Sequence, residues 1–357
     1  MRIIQIVPSL SYGDAVGNDI LALKKIIEQK GIETAVYAES VNIKAGEEDS
    51  IFTISDLKSL SENDILISHV ACSSQLNEDI KHLRCLKIMM YHNITPPHFF
   101  KDYNVQSQKS CEQALKEVES LKSTFDLVLT PSEFNKKDLL RMGFSCPIRI
   151  LPILIPFDDY KKTPAEHILK QYNDNFTNII FTGRIAPNKK HEDVLKVFYE
   201  YQRYFNEKSR LFFVGSSSSL ERYEQRLRDY AGVLGVKNVI FTGHVRFEEI
   251  LAYYKVSDLF LCQSEHEGFC VPLVEAMFFE KPVVAYDSSA ISETLGGSGF
   301  ILKEKNSVKT AAVMNRILTD DELRKTIIEN QNIRLSDFEY EKIAGLFWQY
   351  MAEFLES

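Results

Sequence analysis

Short, almost uninterrupted apolar runs punctuate the chain: Arg2–Val7, Thr34–Ala38, Ile65–His69, Leu86–Tyr91 and Leu127–Thr130, then Asn178–Thr182, Leu211–Val214, Val239–Thr242, Leu259–Cys262, Pro282–Tyr286 and Phe300–Leu302. Runs of this length without polar alternation predict strands buried on both faces, as in a parallel sheet. Between them lie stretches with helical spacing, among them Ile20–Gln29, stopped by Gly31, Asn135–Met142 with Ser132 as its cap, and Val194–Asn206. Pro8 to Asp19 reads as a loop after the first strand. The alternation is interrupted once, at Leu151–Asp159, where Pro152, Pro156 and a charged run to Pro164 read as a linker. It then restarts. The pattern predicts an α/β protein of two doubly wound domains, 1–157 and 158–336. A last helix, 337–357, carries a wide apolar face: Phe338, Tyr340, Ile343, Leu346, Phe347, Tyr350, Met351 and Phe354.

Composition narrows the class. At 357 residues two cores are expected rather than one, and a net charge of −8 argues against a nucleic-acid binder. The six cysteines show no Cys-x-x-Cys spacing and read as reduced residues of a cytoplasmic protein. No stretch reaches membrane-spanning length and none reads as a signal peptide, so a soluble or at most peripheral protein is expected.

The chemistry concentrates in Ser264–Ala276. An apolar strand, a Gly-containing turn and Pro272 at a helix start place backbone N–H groups of Gly268, Phe269, Cys270 and Val271 where an anion is favoured. Glu267 and Glu275 flank that anion site. Two carboxylates there suit a ligand with hydroxyls as well as phosphate; the plain alternative is a turn acid and a first-turn helix acid. Arg184 and Lys189 stand in a Gly-Pro loop after a strand, beginning at Gly183, and offer a fork and a point charge to phosphate oxygens. Gly215 with Ser216–Ser219, and Gly243-His244-Val245, end two further strands, and His92-Asn93 ends one in the first half. Gly13, Gly17 and Glu39 do not have the spacing of a dinucleotide fingerprint.

These motifs resemble those of family-four glycosyltransferases, retaining enzymes of the GT-B fold. Glu267 and Glu275 match the Glu-x7-Glu pattern with Gly-Phe, Pro and Glu-Ala in register, and Gly183-Arg184 with Lys189 matches Gly-Arg-x4-Lys. The resemblance implies two Rossmann-like domains facing across a cleft. The first would bind the acceptor, the second the nucleotide sugar, and the C-terminal helix would pack back on the first. It implies that Arg184 and Lys189 neutralise the donor diphosphate, that Glu267 binds sugar hydroxyls and Glu275 the ribose, and that His92 reaches the sugar near its reacting carbon. It places Gly13 and Asp14 in the loop over the diphosphate, where Gly-Asp departs from the commoner Gly-Gly. Gly215, His244 and Val245 would lie near the diphosphate or base. Lys190 stands where the family commonly has Gly. No Asp-x-Asp motif is present, so no metal or other cofactor is expected. The implied reaction moves a hexose from UDP-hexose or GDP-mannose to a glycan or lipid-linked acceptor in surface polysaccharide synthesis, by front-face displacement. The competing readings are an epimerase or phosphorylase of the same fold and a non-catalytic sugar-nucleotide-binding partner. Basic helices with Lys24, Lys25, Lys136, Lys137 and Arg141 offer a peripheral membrane contact or plain solvated faces.

Overall fold

The structure, a computed structural model, describes residues 1–11, 15–42, 51–57 and 60–356. The chain divides into two compact units. One comprises Met1–His98, Gln106–Pro156 and Phe338–Ser357; the other comprises Phe99–Val105 and Phe157–Asp337.

The first unit is built on seven parallel strands: β1 (Ile3–Ser11), β2 (Thr34–Asn42), β3 (Ile51–Thr53), β4 (Ile65–Val70), β5 (Leu86–Tyr91), β6 (Leu127–Thr130) and β7 (Ile148–Ile150). Their order is β3-β2-β1-β4-β5-β6-β7. The reversal beside β1 is the topological switch point of a doubly wound sheet. The apolar runs become fully buried strands because helices cover both faces; every residue of β4 is buried. On one face Ile3, Ile67, Ile88 and Leu127 pack with Leu23 and Ile27, and the C-terminal helix Tyr340–Leu355 adds Ile343, Phe347 and Met351 to the same cluster. Tyr350 Oη donates to the Ile150 carbonyl at 3.1 Å. The expected return of the last helix to the first domain is therefore present.

Two expectations need correction here. The first strand runs through Pro8 to Ser11 and Ala15–Gln29 is a helix, so Pro8–Ser11 and Ala15–Asp19 are not loop. Pro8 fits because β4 pairs with β1 only as far as Ile6, which leaves no ladder partner on that side for an N–H at residue 8. Asp19, which reads as loop, is a buried helix residue: its Oδ1 accepts from the Leu154 backbone N–H at 2.8 Å. β3 and β7 were not expected. Each is three residues long, and β3 lies at the sheet edge with Phe52 and Thr53 exposed, so neither carries an apolar run.

The second unit holds six parallel strands: β8 (Thr177–Thr182), β9 (Ser209–Val214), β10 (Val239–Phe241), β11 (Leu259–Cys262), β12 (Val283–Tyr286) and β13 (Phe300–Leu302). Their order is β10-β9-β8-β11-β12-β13, again with a switch at the first strand. The segment Phe99–Val105, early in the chain, belongs to this unit. Tyr103 meets Tyr223 edge-on with ring centres 4.9 Å apart, Asn104 Nδ2 donates to the Ser219 carbonyl at 2.6 Å, and Phe99 lies 6.3 Å from the His266 ring.

Candidate functional site

The C-terminal ends of β8, β9 and β10 are joined through glycines. Gly183 N–H donates to the Val214 carbonyl at 2.9 Å, Ile185 N–H to the Ser216 carbonyl at 2.9 Å, and Gly215 bridges Gly243 in antiparallel fashion. Gly183 and Gly215 have φ of +127° and +151°, which L side chains rarely adopt. Here three loops approach each other through bare backbone. Free-standing strand ends in open α/β sheets are where ligands bind.

From this seam the loop after β8 rises. Arg184 is exposed and its guanidinium reaches the Ser218 carbonyl at 3.3 Å. Pro187–Lys189 form one tight turn, after which Lys190 takes a left-handed conformation, φ 51°. That conformation accounts for a position at which glycine would be the easier residue. The Lys190 ammonium lies 3.2 Å from Glu265, whose other oxygen pairs with Lys305 at 2.8 Å. Asn188 is buried and holds the turn against the loop after β11: its Nδ2 donates to the His266 carbonyl at 2.9 Å, and its own carbonyl accepts from Glu265 N–H at 2.8 Å.

This clamp brings Lys189 to Glu267. Nζ lies 2.7 Å from Oε1, with the two side chains only 16% and 9% exposed. Burial is the largest influence on the Lys189 charge and works against it, but Glu267, with Cys270 and Cys262, together outweigh it and the ammonium is held more firmly protonated than usual. Glu267 N–H donates to Ser289 Oγ at 2.8 Å, which fixes the turn from its other side. The expected strand, turn and helix start are all present. Cys270, left-handed at φ 73°, precedes the helix Val271–Phe278, Pro272 sits in its first turn, and Thr294 Oγ1 donates to the Phe269 carbonyl at 2.5 Å. Gly268 is half-buried and Val271 opens the helix.

Glu275 has a different setting from Glu267. Tyr160 Oη donates to its Oε1 at 3.1 Å and Tyr254 Oη to its Oε2 at 2.7 Å. With the Tyr254 hydrogen committed, Thr182 Oγ1 donates to Tyr254 at 2.5 Å, so a chain of hydroxyls runs from the end of β8 to the carboxylate. Burial pushes the Glu275 carboxyl up from its usual range, with the two tyrosines acting against the shift. Each oxygen keeps one further lone-pair direction for a ligand hydroxyl.

Not all expected residues converge. Lys189, Glu267, Gly183 and Gly215 are brought together by direct contacts. His244 is exposed and Val245 half-buried beyond the Gly243 bridge. Gly13 and Asp14 lie outside the described residues. His92 belongs to the other unit, just past β5, and burial pushes its imidazole down to about 4, so the ring is neutral at pH 7. Three of the five basic helix residues are matched by acids on their own helices: Lys24 with Glu28, Lys136 with Glu133 and Arg141 with Asp138. Among the described residues no group of three His, Cys, Asp or Glu is placed to hold a metal ion, and no helix is long and apolar enough to cross a membrane.

Sequence reading missed Asn188, Ser289, Tyr160 and Tyr254. Asn188 sits inside the Gly-Arg-x4-Lys stretch and was within reach. The tyrosines lie in aromatic contexts that look like core, and Ser289 is distant in sequence.

Residues 166–334, just under half the chain, match the family described as Glycosyl transferases group 1. The chain is similar to the lipopolysaccharide 1,2-N-acetylglucosaminetransferase of Salmonella typhimurium, 25% identical over 240 residues, which is 64% of this chain and 62% of the relative. It is also similar to the capsular polysaccharide biosynthesis glycosyltransferase CapM of Staphylococcus aureus, at 24% identity over 63% of this chain and 59% of the relative. Both matches thus span about three fifths of the relative's length. Among solved structures, Anabaena HepE in complex with UDP and glucose superposes with a TM-score of 0.76 at 20% identity, covering 99% of this chain and 100% of that one. The likeness shows the fold, which is GT-B.

Proposed function

We propose, on the premise that residues 166–334 form a glycosyl transferases group 1 domain, that the protein transfers a hexose from a nucleotide-diphosphate sugar to a glycan or lipid-linked acceptor in surface polysaccharide synthesis. The observation that carries this reading is the Lys189–Glu267 pair. A fixed cation and a fixed carboxylate stand 2.7 Å apart at the sheet's C-terminal end, beside the exposed Arg184. The donor is UDP-hexose or GDP-mannose. Breaking the C1–phosphate bond concentrates negative charge on the leaving oxygen, and Arg184, Lys189 and the backbone N–H groups at the start of Val271–Phe278 stabilise it where it develops. These groups take the place of a metal ion. Glu267 accepts hydrogen bonds from the sugar and Glu275 from the ribose. By the same reading His92, Gly13 and Asp14 serve the donor from the first half of the chain. The anomeric configuration is retained by front-face displacement, the departing phosphate taking the acceptor's proton.

Support comes from the family match and from two relatives named for lipopolysaccharide and capsule synthesis. The structure of HepE with UDP and glucose favours a uridine nucleotide. The test is a thermal-shift panel of UDP- and GDP-sugars followed by donor turnover with EDTA present. A donor that raises the melting temperature and is consumed is expected. A protein that binds no sugar nucleotide, or one that traps a glycosyl group on Glu or Asp, ends the proposal.

A further inference from the structure

Three neighbouring strands of the first unit carry an unbroken polar thread across the sheet. Gln5 on β1, His69 near the end of β4 and His92 just past β5 line up across it, and Gln5 and His69 are fully buried. Gln5 Nε2 donates to the Ile20 carbonyl at 3.3 Å. A carbonyl cannot donate, so the Gln5 NH₂ must face Ile20 and its Oε1 must face His69. His69 Nε2 lies 2.9 Å from that oxygen and therefore carries the proton. His69 Nδ1 is then a bare acceptor. It lies 2.9 Å from His92 Nε2, which must in turn carry the proton of His92. The last atom of the thread, His92 Nδ1, is buried and has no hydrogen-bond partner among the described residues. A buried acceptor left without a donor costs stability, and such atoms are uncommon.

We propose that Gln5 and His69 are positioning residues that lock His92 in its Nε2–H tautomer, so that Nδ1 is held as an acceptor for a ligand hydroxyl. The inference deepens the glycosyl-transfer reading and rests on it for the identity of that ligand. The thread makes the direction of the hydrogen bond obligatory: with the proton on Nδ1 instead, the neutral His92 ring would set a bare Nε2 against the bare Nδ1 of His69, two acceptors facing each other. Three strands of the core supply the order before any ligand arrives.

The experiment is long-range ¹H–¹⁵N NMR of the full chain with labelled histidine, His92 being assigned through His92→Asn. A pyridine-like Nδ1 and a pyrrole-like Nε2 are expected for His92. Gln5→Met keeps the buried volume and removes the acceptor for His69, and His92 should become a mixture of tautomers. His69→Asn keeps an acceptor at the Nδ1 position, and the single tautomer should persist. It also serves if the methionine variant does not fold. A wild-type His92 protonated at Nδ1, or a tautomer unmoved in Gln5→Met, overturns the proposal. UDP-glucose and GDP-mannose are then titrated separately. The Nδ1 resonance should move with whichever raises the melting temperature; an unmoved Nδ1 with a bound sugar nucleotide overturns its acceptor role. If neither compound binds, the glycosyl-transfer reading has failed, and the tautomer spectra still decide the thread.

Discussion

A Cβ built on Gly215 would lie 2.1 Å from the carbonyl oxygen of Gly183. Backbone presses on backbone there, and neither partner is the flexible end of a side chain. Gly215→Ala should therefore lower stability by about 3 kcal/mol or more, combining overpacking with a disfavoured φ. Gly232, in the helix Glu221–Leu234 with nothing within 4 Å of such a Cβ, is the control. Gly232→Ala should stabilise by about 0.5–1 kcal/mol. Urea titration of both variants checks the contrast.

Arg184 and Lys189 should separate in two measurements. Both variants to Ala should lower donor turnover about ten- to a thousandfold, as loss of a charge-stabilising donor does. Only Lys189→Ala should also cost stability, by about 2–3 kcal/mol after allowing for its partial exposure, because Glu267 is left buried beside no cation. Arg184 is exposed, so its variant should keep the wild-type melting temperature. Calorimetry alongside turnover distinguishes them, and equal melting losses would contradict the difference.

The two tyrosines on Glu275 should act as one unit. Tyr254→Phe removes a donor from Glu275 and leaves Thr182 Oγ1 without its acceptor, for an expected loss of about 1–3 kcal/mol. Tyr160→Phe should cost less, its bond being longer at 3.1 Å. The double variant should depart from additivity by about 0.5 kcal/mol or more, since both hold one carboxylate. Under the proposed role of Glu275, donor KM should rise in each.

Stability should depend on pH with two opposing signs. His191 is buried among Phe181, Phe213 and Tyr223, and burial followed by the nearby Lys189 charge pushes it down to about 3 from an ordinary 6.5. Between those values the unfolded chain binds a proton that the folded chain refuses. Stability thus falls as pH drops through that window, by up to about 1.4 kcal/mol per unit. Asp19 works the other way. Burial pushes it up to about 7 from 3.8, with the Leu154 N–H acting against the shift, so this contribution is lost as pH rises from about 4 to 7. Subtracting the urea stability profile of His191→Phe or Asp19→Asn from wild type should isolate a rising and a falling limb.

Fold and motif were legible to different depths. The apolar runs of β8, β9 and β11 identified themselves because a strand buried on both faces has nothing polar to conceal it. The short strands β3 and β7 have no such run and exist through pairing alone. The turn at Glu267 could be read because strand, glycine, proline and helix are local. The settings of its neighbours could not. Asp19 looks like a loop acid until Leu154, 135 positions later, supplies the N–H that holds it. Tyr254 looks like core packing until Thr182 and Glu275 close on its hydroxyl. Gln5 and His69 look like blemishes in apolar strands, and only the register β1–β4–β5 makes them adjacent to each other and to His92.

The assignment of Phe99–Val105 to the second unit bears on how this protein can be engineered. A hybrid protein made by splicing at the Pro156–Phe157 junction would import a foreign stretch at 99–105 together with its new first half. The aromatic and amide anchors that Tyr103 and Asn104 find at Tyr223 and Ser219 would then be mismatched. Swaps that exchange the two halves while grafting the native 99–105 back in place should fold better than those cut at the junction alone.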